Sequence, residues 1–127
     1  MIVGSIKEDL TLEKRISLTP ETAKNIISLG LKICVEKNYA THLGIQDKKF
    51  EDIGVEIKST PDEVFQSSNL LIKVNCPSKN EIAKLKENSI LVGMLNPLKN
   101  KNEINEILKK KNKIFSLEIL FLINRDQ

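Results

Sequence analysis

The sequence predicts an α/β domain: a doubly wound, mainly parallel sheet forming a Rossmann- or flavodoxin-like half-domain over residues 1–127. Two observations carry this. Short apolar runs alternate with helical patterns along the whole chain, the signature of βαβ units and a parallel sheet. Several of those runs are almost continuously apolar, as strands covered on both faces must be.

The elements follow in order. Ile2-Val3-Gly4-Ser5 is a short apolar start, and a polar loop from Lys7 to Ser17 carries Arg15. Thr19-Pro20-Glu21 opens a helix: threonine caps, proline suits the first turn, and glutamate meets the positive end of the dipole. Ala23, Ile26 and Ile27 give it an apolar face. Gly30 ends it, where a left-handed residue is wanted. Leu31 to Val35 is the next strand. A loop with Gly44 leads to a short helix from Asp47 to Ile53, ended by Gly54, and Val55-Glu56-Ile57 alternates like a strand.

Thr60-Pro61-Asp62-Glu63 reads as a full capping box, starting a helix that ends near Ser67. Leu70-Leu71-Ile72-Lys73-Val74 is a buried strand. A helix from Asn80 to Lys86 comes next, then the strand Ile90 to Leu95, broken by Pro97. Asn102 to Lys111 is helical, with Ile104, Ile107 and Leu108 on one face, and Ile114 to Leu117 is the last clear strand.

Composition narrows the function. The chain has 127 residues, 40% hydrophobic and 29% charged, the balance of one ordinary globular domain. Of its 20 basic residues only Arg15 and Arg125 are arginines, and aromatics make up 4%. Nucleic-acid binding usually needs arginine forks or stacking rings on a concentrated basic face, so no nucleic-acid partner is expected. Lys109-Lys110-Lys111 suits the negative end of a helix dipole. Cys34 and Cys76 stand far apart with a single histidine, which gives no metal site. Both read as small buried apolar residues in a reducing compartment. No apolar run approaches the roughly 18 residues of a membrane span, and no secretory signal opens the chain. A soluble protein is expected, any membrane role coming through partners.

In open parallel sheets ligands sit beyond the carboxyl ends of the strands. That rule selects the loop with Arg15, the segment Lys73 to Pro77, Leu95-Asn96-Pro97 and the C-terminal stretch. Lys73, inside an apolar run, needs a carboxylate, a carbonyl cluster or an anionic ligand if it is buried, or else snorkels to water. Arg15 either joins it as a planar anion clamp or forms a surface ion pair. His42, in a polar loop, reads as a turn or surface residue. There is no G-x-G-x-x-G or phosphate-loop pattern, and no nucleophile in a triad context.

Several segments together resemble one family. They are Ile2 to Lys7, Arg15-Ile16-Ser17-Leu18-Thr19-Pro20, Leu29-Gly30, Ile53 to Ile57, Leu70 to Pro77, Asn96-Pro97 and Ile123-Asn124-Arg125-Asp126-Gln127. In order and spacing they resemble the N-terminal domain shared by alanine dehydrogenases and the α subunit of proton-translocating NAD(P) transhydrogenases.

At the position of Asn96 the alanine dehydrogenases carry a catalytic histidine. An amide cannot exchange protons as imidazole does, so the transhydrogenase branch is favoured. That resemblance implies hydride transfer between NADH and NADP⁺ coupled to proton translocation, with no catalytic acid or base to name. It implies NAD(H) contacts from Gln127 and Arg125. Arg15 and Lys73, with Asn96, become a retained polar cluster that matches the substrate-carboxylate clamp of the alanine dehydrogenases. NADP(H) would lie on a partner domain.

The implied partners are a downstream dinucleotide-binding domain absent from these residues, NADP(H)-binding and membrane components, and a second copy in a homodimer. The implied place is the cytoplasm, peripheral to the inner membrane. The isolated fragment is expected to be inactive. An alanine dehydrogenase-like oxidoreductase and a non-catalytic α/β binding module are the alternatives. Two departures stand out: Phe121-Leu122 where transhydrogenases tend to carry Pro-Arg, and Asn38-Tyr39-Ala40 in place of a Gly-Ala-Gly-like turn.

Overall fold

The computed structural model describes residues 1–117. Among these described residues six strands alternate with five helices: β1 (Ile2–Ser5), α1 (Pro20–Ser28), β2 (Lys32–Glu36), α2 (Asp47–Glu51), β3 (Glu56–Lys58), α3 (Pro61–Ser67), β4 (Leu70–Asn75), α4 (Lys79–Lys84), β5 (Ile90–Met94), α5 (Lys101–Lys109) and β6 (Lys113–Ser116). A short 3-10 turn, Thr41–Leu43, lies in the loop before α2. Every strand pairing is parallel, and the order is β3-β2-β1-β4-β5-β6. That is the Rossmann order rather than the flavodoxin one, and its switch point lies between β1 and β4.

Local chemistry sets the helix ends. Thr19 accepts from the Thr22 amide ahead of Pro20, and Gly30 takes φ 94° after α1, a conformation glycine reaches without a Cβ clash. Thr60 makes only the forward half of the predicted box, accepting from the Glu63 amide at 3.3 Å. The reciprocal box forms one helix later. There the Ser78 hydroxyl accepts from Glu81 N, and the Glu81 carboxylate accepts from Ser78 N at 2.9 Å. Reciprocity requires the acidic side chain to fold back, and Glu63 does not.

The core lies on both faces of the sheet. Leu71 and Leu91 pack with Val64 and Phe65 of α3, Ile82 of α4 and Ile107 of α5. On the opposite face Val3, Ile33 and Val35 pack with Ala23 of α1, Tyr39 and Phe50 of α2. Cys34 is buried as the sequence suggests, whereas Cys76 is only half-buried, because it follows β4 into the carboxyl-edge loop rather than lying within the strand.

Candidate functional site

The carboxyl edge at the switch point is built around an irregularity in β4. Ile72 pairs with Val92 and Asn75 with Met94, so Lys73 and Val74 together oppose the single residue Gly93. This is a β-bulge, a device that re-aims a side chain and frees ladder amides. Gly93 is required there: a Cβ at that position would run into the Lys73 carbonyl.

One residue collects what the bulge releases. Glu8, in the loop after β1, accepts from the Val74 amide at 2.9 Å and the Asn75 amide at 3.1 Å. Its carboxylate also pairs with Lys73 Nζ at 3.1 Å. Lys73 is 4% exposed and Glu8 7%, so each charge is buried only because the other is present. Glu81 stands 3.9 Å from Lys73 Nζ, which ties α4 to the same cluster. Sequence reasoning required a partner for Lys73 but did not find Glu8. The two are 65 residues apart, and only the β1–β4 adjacency brings them together.

Arg15 lies in a different environment. Its side chain is exposed and grips Glu13, with Nε–Oε2 at 2.8 Å and Nη2–Oε1 at 2.9 Å, while its backbone amide donates to the same carboxylate at 2.9 Å. These bonds hold the Glu13 carboxyl down at about 2. Arg15 is thus a surface ion pair of local origin. It still shares a cavity of about 170 Å³ with Lys73, Ser17, Ile72, Met94 and Leu117.

Asn96 follows β5 in the left-handed region, φ 43°, which asparagine tolerates better than most residues. Its carbonyl accepts from the Lys99 and Asn100 amides, opening the turn into α5. It lines a neighbouring cleft of about 340 Å³ with Asn75, Cys76, Met94 and Asn100. The structure therefore brings Lys73, Arg15 and Asn96 to one edge, in adjoining hollows rather than one clamp. Arg125 and Gln127 lie outside the described residues.

The other chemical groups are quiet. His42 is exposed and donates through Nε2 to the Lys14 carbonyl at 2.8 Å. Burial, aided by Glu103, pushes the Cys76 thiol up to about 11, far from thiolate reactivity. Among the described residues no cluster of His, Cys, Asp and Glu could hold a metal ion. No described helix is long and apolar enough to cross a membrane.

Residues 4–127 match the model of the alanine dehydrogenase/PNT N-terminal domain. The chain belongs to that family. It is 31% identical, over its full length, to the NAD(P) transhydrogenase subunit alpha of Haemophilus influenzae, and 30% identical over 98% of its length to an alanine dehydrogenase of Methanococcus maripaludis. It covers 24% of the first relative and 34% of the second, so it spans about a quarter of the one and about a third of the other.

The fold agrees. The transhydrogenase of Sinorhizobium meliloti superposes with a TM-score of 0.86 over 93% of this chain and 35% of that one, at 24% identity. An L-alanine dehydrogenase gives 0.85 over 91% of this chain and 32% of that one, at 17% identity. The full-length relatives are oxidoreductases by name, and the first of them is named for NAD(P).

Proposed function

We propose that this chain is the N-terminal half-domain of an NAD(P) transhydrogenase α subunit, in which hydride passes from NADH to NADP⁺ coupled to proton movement through a membrane component. The observation that carries the reading is Asn96. The β5 end, where the alanine dehydrogenase branch places its proton-exchanging histidine, holds an amide in a left-handed turn. The described residues lining the adjoining hollows include no histidine. Hydride exchange between two nicotinamides needs alignment rather than an acid or base.

The residues present do not fit a whole dinucleotide. The connection from β1 to α1 is a long polar loop rather than a tight glycine turn, and the α1 cap is filled by Thr19 itself, so the helix that follows β1 offers no open terminus to a pyrophosphate. A downstream dinucleotide-binding domain would supply that. This half-domain would then wall the cleft: its bulged β4 end, Glu8 loop and Asn96 turn form a rigid carboxyl edge, while Arg125 and Gln127 approach the nicotinamide end. Dimerisation, a cytoplasmic position against the inner membrane, and docking to NADP(H)-binding and membrane components belong to the same reading.

One observation favours a second reading. Arg15 and Lys73 share a cavity, as a carboxylate clamp in an alanine dehydrogenase-like enzyme would require. Titration calorimetry with NADH, on this chain alone and mixed with a transhydrogenase-type dinucleotide domain, tests the first reading. Heat should appear only on mixing, and sub-micromolar binding by the chain alone would contradict the half-site. Pyruvate- and ammonium-dependent NADH oxidation by the same mixture would transfer the assignment to the second reading.

A further inference from the structure

We propose that Tyr39 is the positioning residue of the carboxyl-edge site, clasping the cavity wall formed by Arg15, Ile16 and Ser17 to the sheet. This rests on reading that edge as the ligand side. Tyr39 is 1% exposed, yet its hydroxyl is fully used. It accepts from the Ser17 amide at 3.1 Å and the Leu18 amide at 3.2 Å. It lies 2.8 Å from Ser5 Oγ. Ser5 donates its own proton to the Ile72 carbonyl at 2.7 Å, so the phenol must donate to Ser5. The chain of bonds runs from the loop, through Tyr39 and β1, to the β4 backbone immediately before Lys73.

Apolar packing also holds the wall, through Ile16 and the buried Leu18, but its other polar ties are few. The loop between β1 and α1 contains no helix or strand. Glu8 anchors its first turn to β4. Beyond Glu8, the Asp9 turn, the Glu13–Arg15 pair and the His42 contact are solvent-exposed. Among the described residues the Tyr39 bonds are the buried polar contacts that fasten the wall to the sheet, and linked bonds in a dry interior reinforce one another. The same wall carries a cost: Ser17 Oγ is buried without a hydrogen-bond partner among the described residues, and such a group weakens a segment that is not held by other bonds. Tyr39 stands in the stretch Asn38-Tyr39-Ala40, which the family resemblance marks as a departure.

The test is Tyr39→Phe, which keeps the ring and its edge-on contact with Phe50, 5.7 Å between centroids, and removes only the hydroxyl. Phe50→Leu is the control: it loosens the same packing and leaves the hydroxyl in place. In Tyr39→Phe the Ser17 and Leu18 amides should exchange with solvent on the order of 10-fold faster, the factor that losing one net hydrogen bond implies, while the Val3 and Val35 amides keep their rates. In the mixture with a dinucleotide domain, Tyr39→Phe should weaken NADH binding several-fold and Phe50→Leu should not. Unchanged exchange at Ser17 and Leu18, or equal acceleration everywhere, overturns the clasp. Faster exchange at the wall with NADH affinity unaltered overturns its positioning role. Absence of NADH binding by the unmutated mixture would instead defeat the half-site reading, and the exchange pattern would then decide on the clasp by itself.

Discussion

Lys73 and Arg15 face the same cavity from opposite circumstances, and the difference shows what a charge is worth in this domain. Lys73 is sealed in a bulge of a central strand, matched by a carboxylate from another strand's loop that also takes two backbone amides. Arg15 is exposed and bonded to a neighbour two residues away. Removing a partner from a desolvated pair leaves a charge with neither water nor counterion. Removing one from a surface pair lets water replace it. Lys73 is therefore part of the architecture of the edge, whereas Arg15 is available to a ligand at little structural cost.

The largest effect expected is at Lys73. Lys73→Met should lower the unfolding free energy by about 3–5 kcal/mol, since it strands the Glu8 carboxylate in the interior. Pairing it with Glu8→Gln should recover part of that loss. Urea melts of the two single variants and the double variant check this, and additive losses would break the claim that the pair acts as one unit.

Lys110 sharpens the comparison from between the extremes. It is half-buried and donates to the carbonyls of Ile82, Ala83 and Leu85 at 2.8–3.0 Å, closing the end of α4 from α5. Lys110→Met should cost about 1.5–3 kcal/mol, the range for hydrogen bonds to a charged group, seen in the same melts. A smaller effect comes from Ser17, whose buried hydroxyl has no partner among the described residues. Ser17→Ala should be neutral or stabilise by about 1 kcal/mol, and a clear loss would show that the hydroxyl is bonded after all.

Arg15→Ala should leave the melting temperature almost untouched and change a titration instead. The Arg15 guanidinium, helped by the Arg15 backbone amide, holds Glu13 at about 2 against an ordinary 4.5. A depressed carboxylate contributes stability that is present above pH 4.5 and fades as pH falls towards 2. In Arg15→Ala the Glu13 carboxyl, followed by NMR, should titrate above about 2 yet below its ordinary 4.5, because the residue-15 amide still donates to it, and the guanidinium's share of that acid-side contribution should vanish.

Much of this could be read in the sequence because it rests on local chemistry. The proline-led caps at Thr19 and Thr60, the glycine stop at Gly30 and the apolar strands all fall within a few residues of the predicted places. The need of Lys73 for a partner was legible too, because burying an ammonium has a known cost. What could not be read was who meets that need. Glu8 belongs to a loop with no pattern of its own, and its role exists only because β1 lies beside β4. The bulge was hidden for the same reason: it is defined by the register with β5, and Gly93 is an ordinary strand residue until the Lys73 carbonyl lies against it. Tyr39 appeared as a departure from a turn, and nothing in its neighbours announces contacts with Ser5 and Ser17.

The central claim is that the carboxyl edge, and not another face, completes a dinucleotide site with a second domain. The most direct test is amide chemical-shift mapping on the labelled chain during addition of a transhydrogenase-type dinucleotide domain and NADH. Shifts clustered at Glu8, Ser17, Asn75 and Asn96 are the predicted result. Shifts centred on the amino edge, around Asn112 and Lys113, or no shifts at saturating partner, would contradict the account.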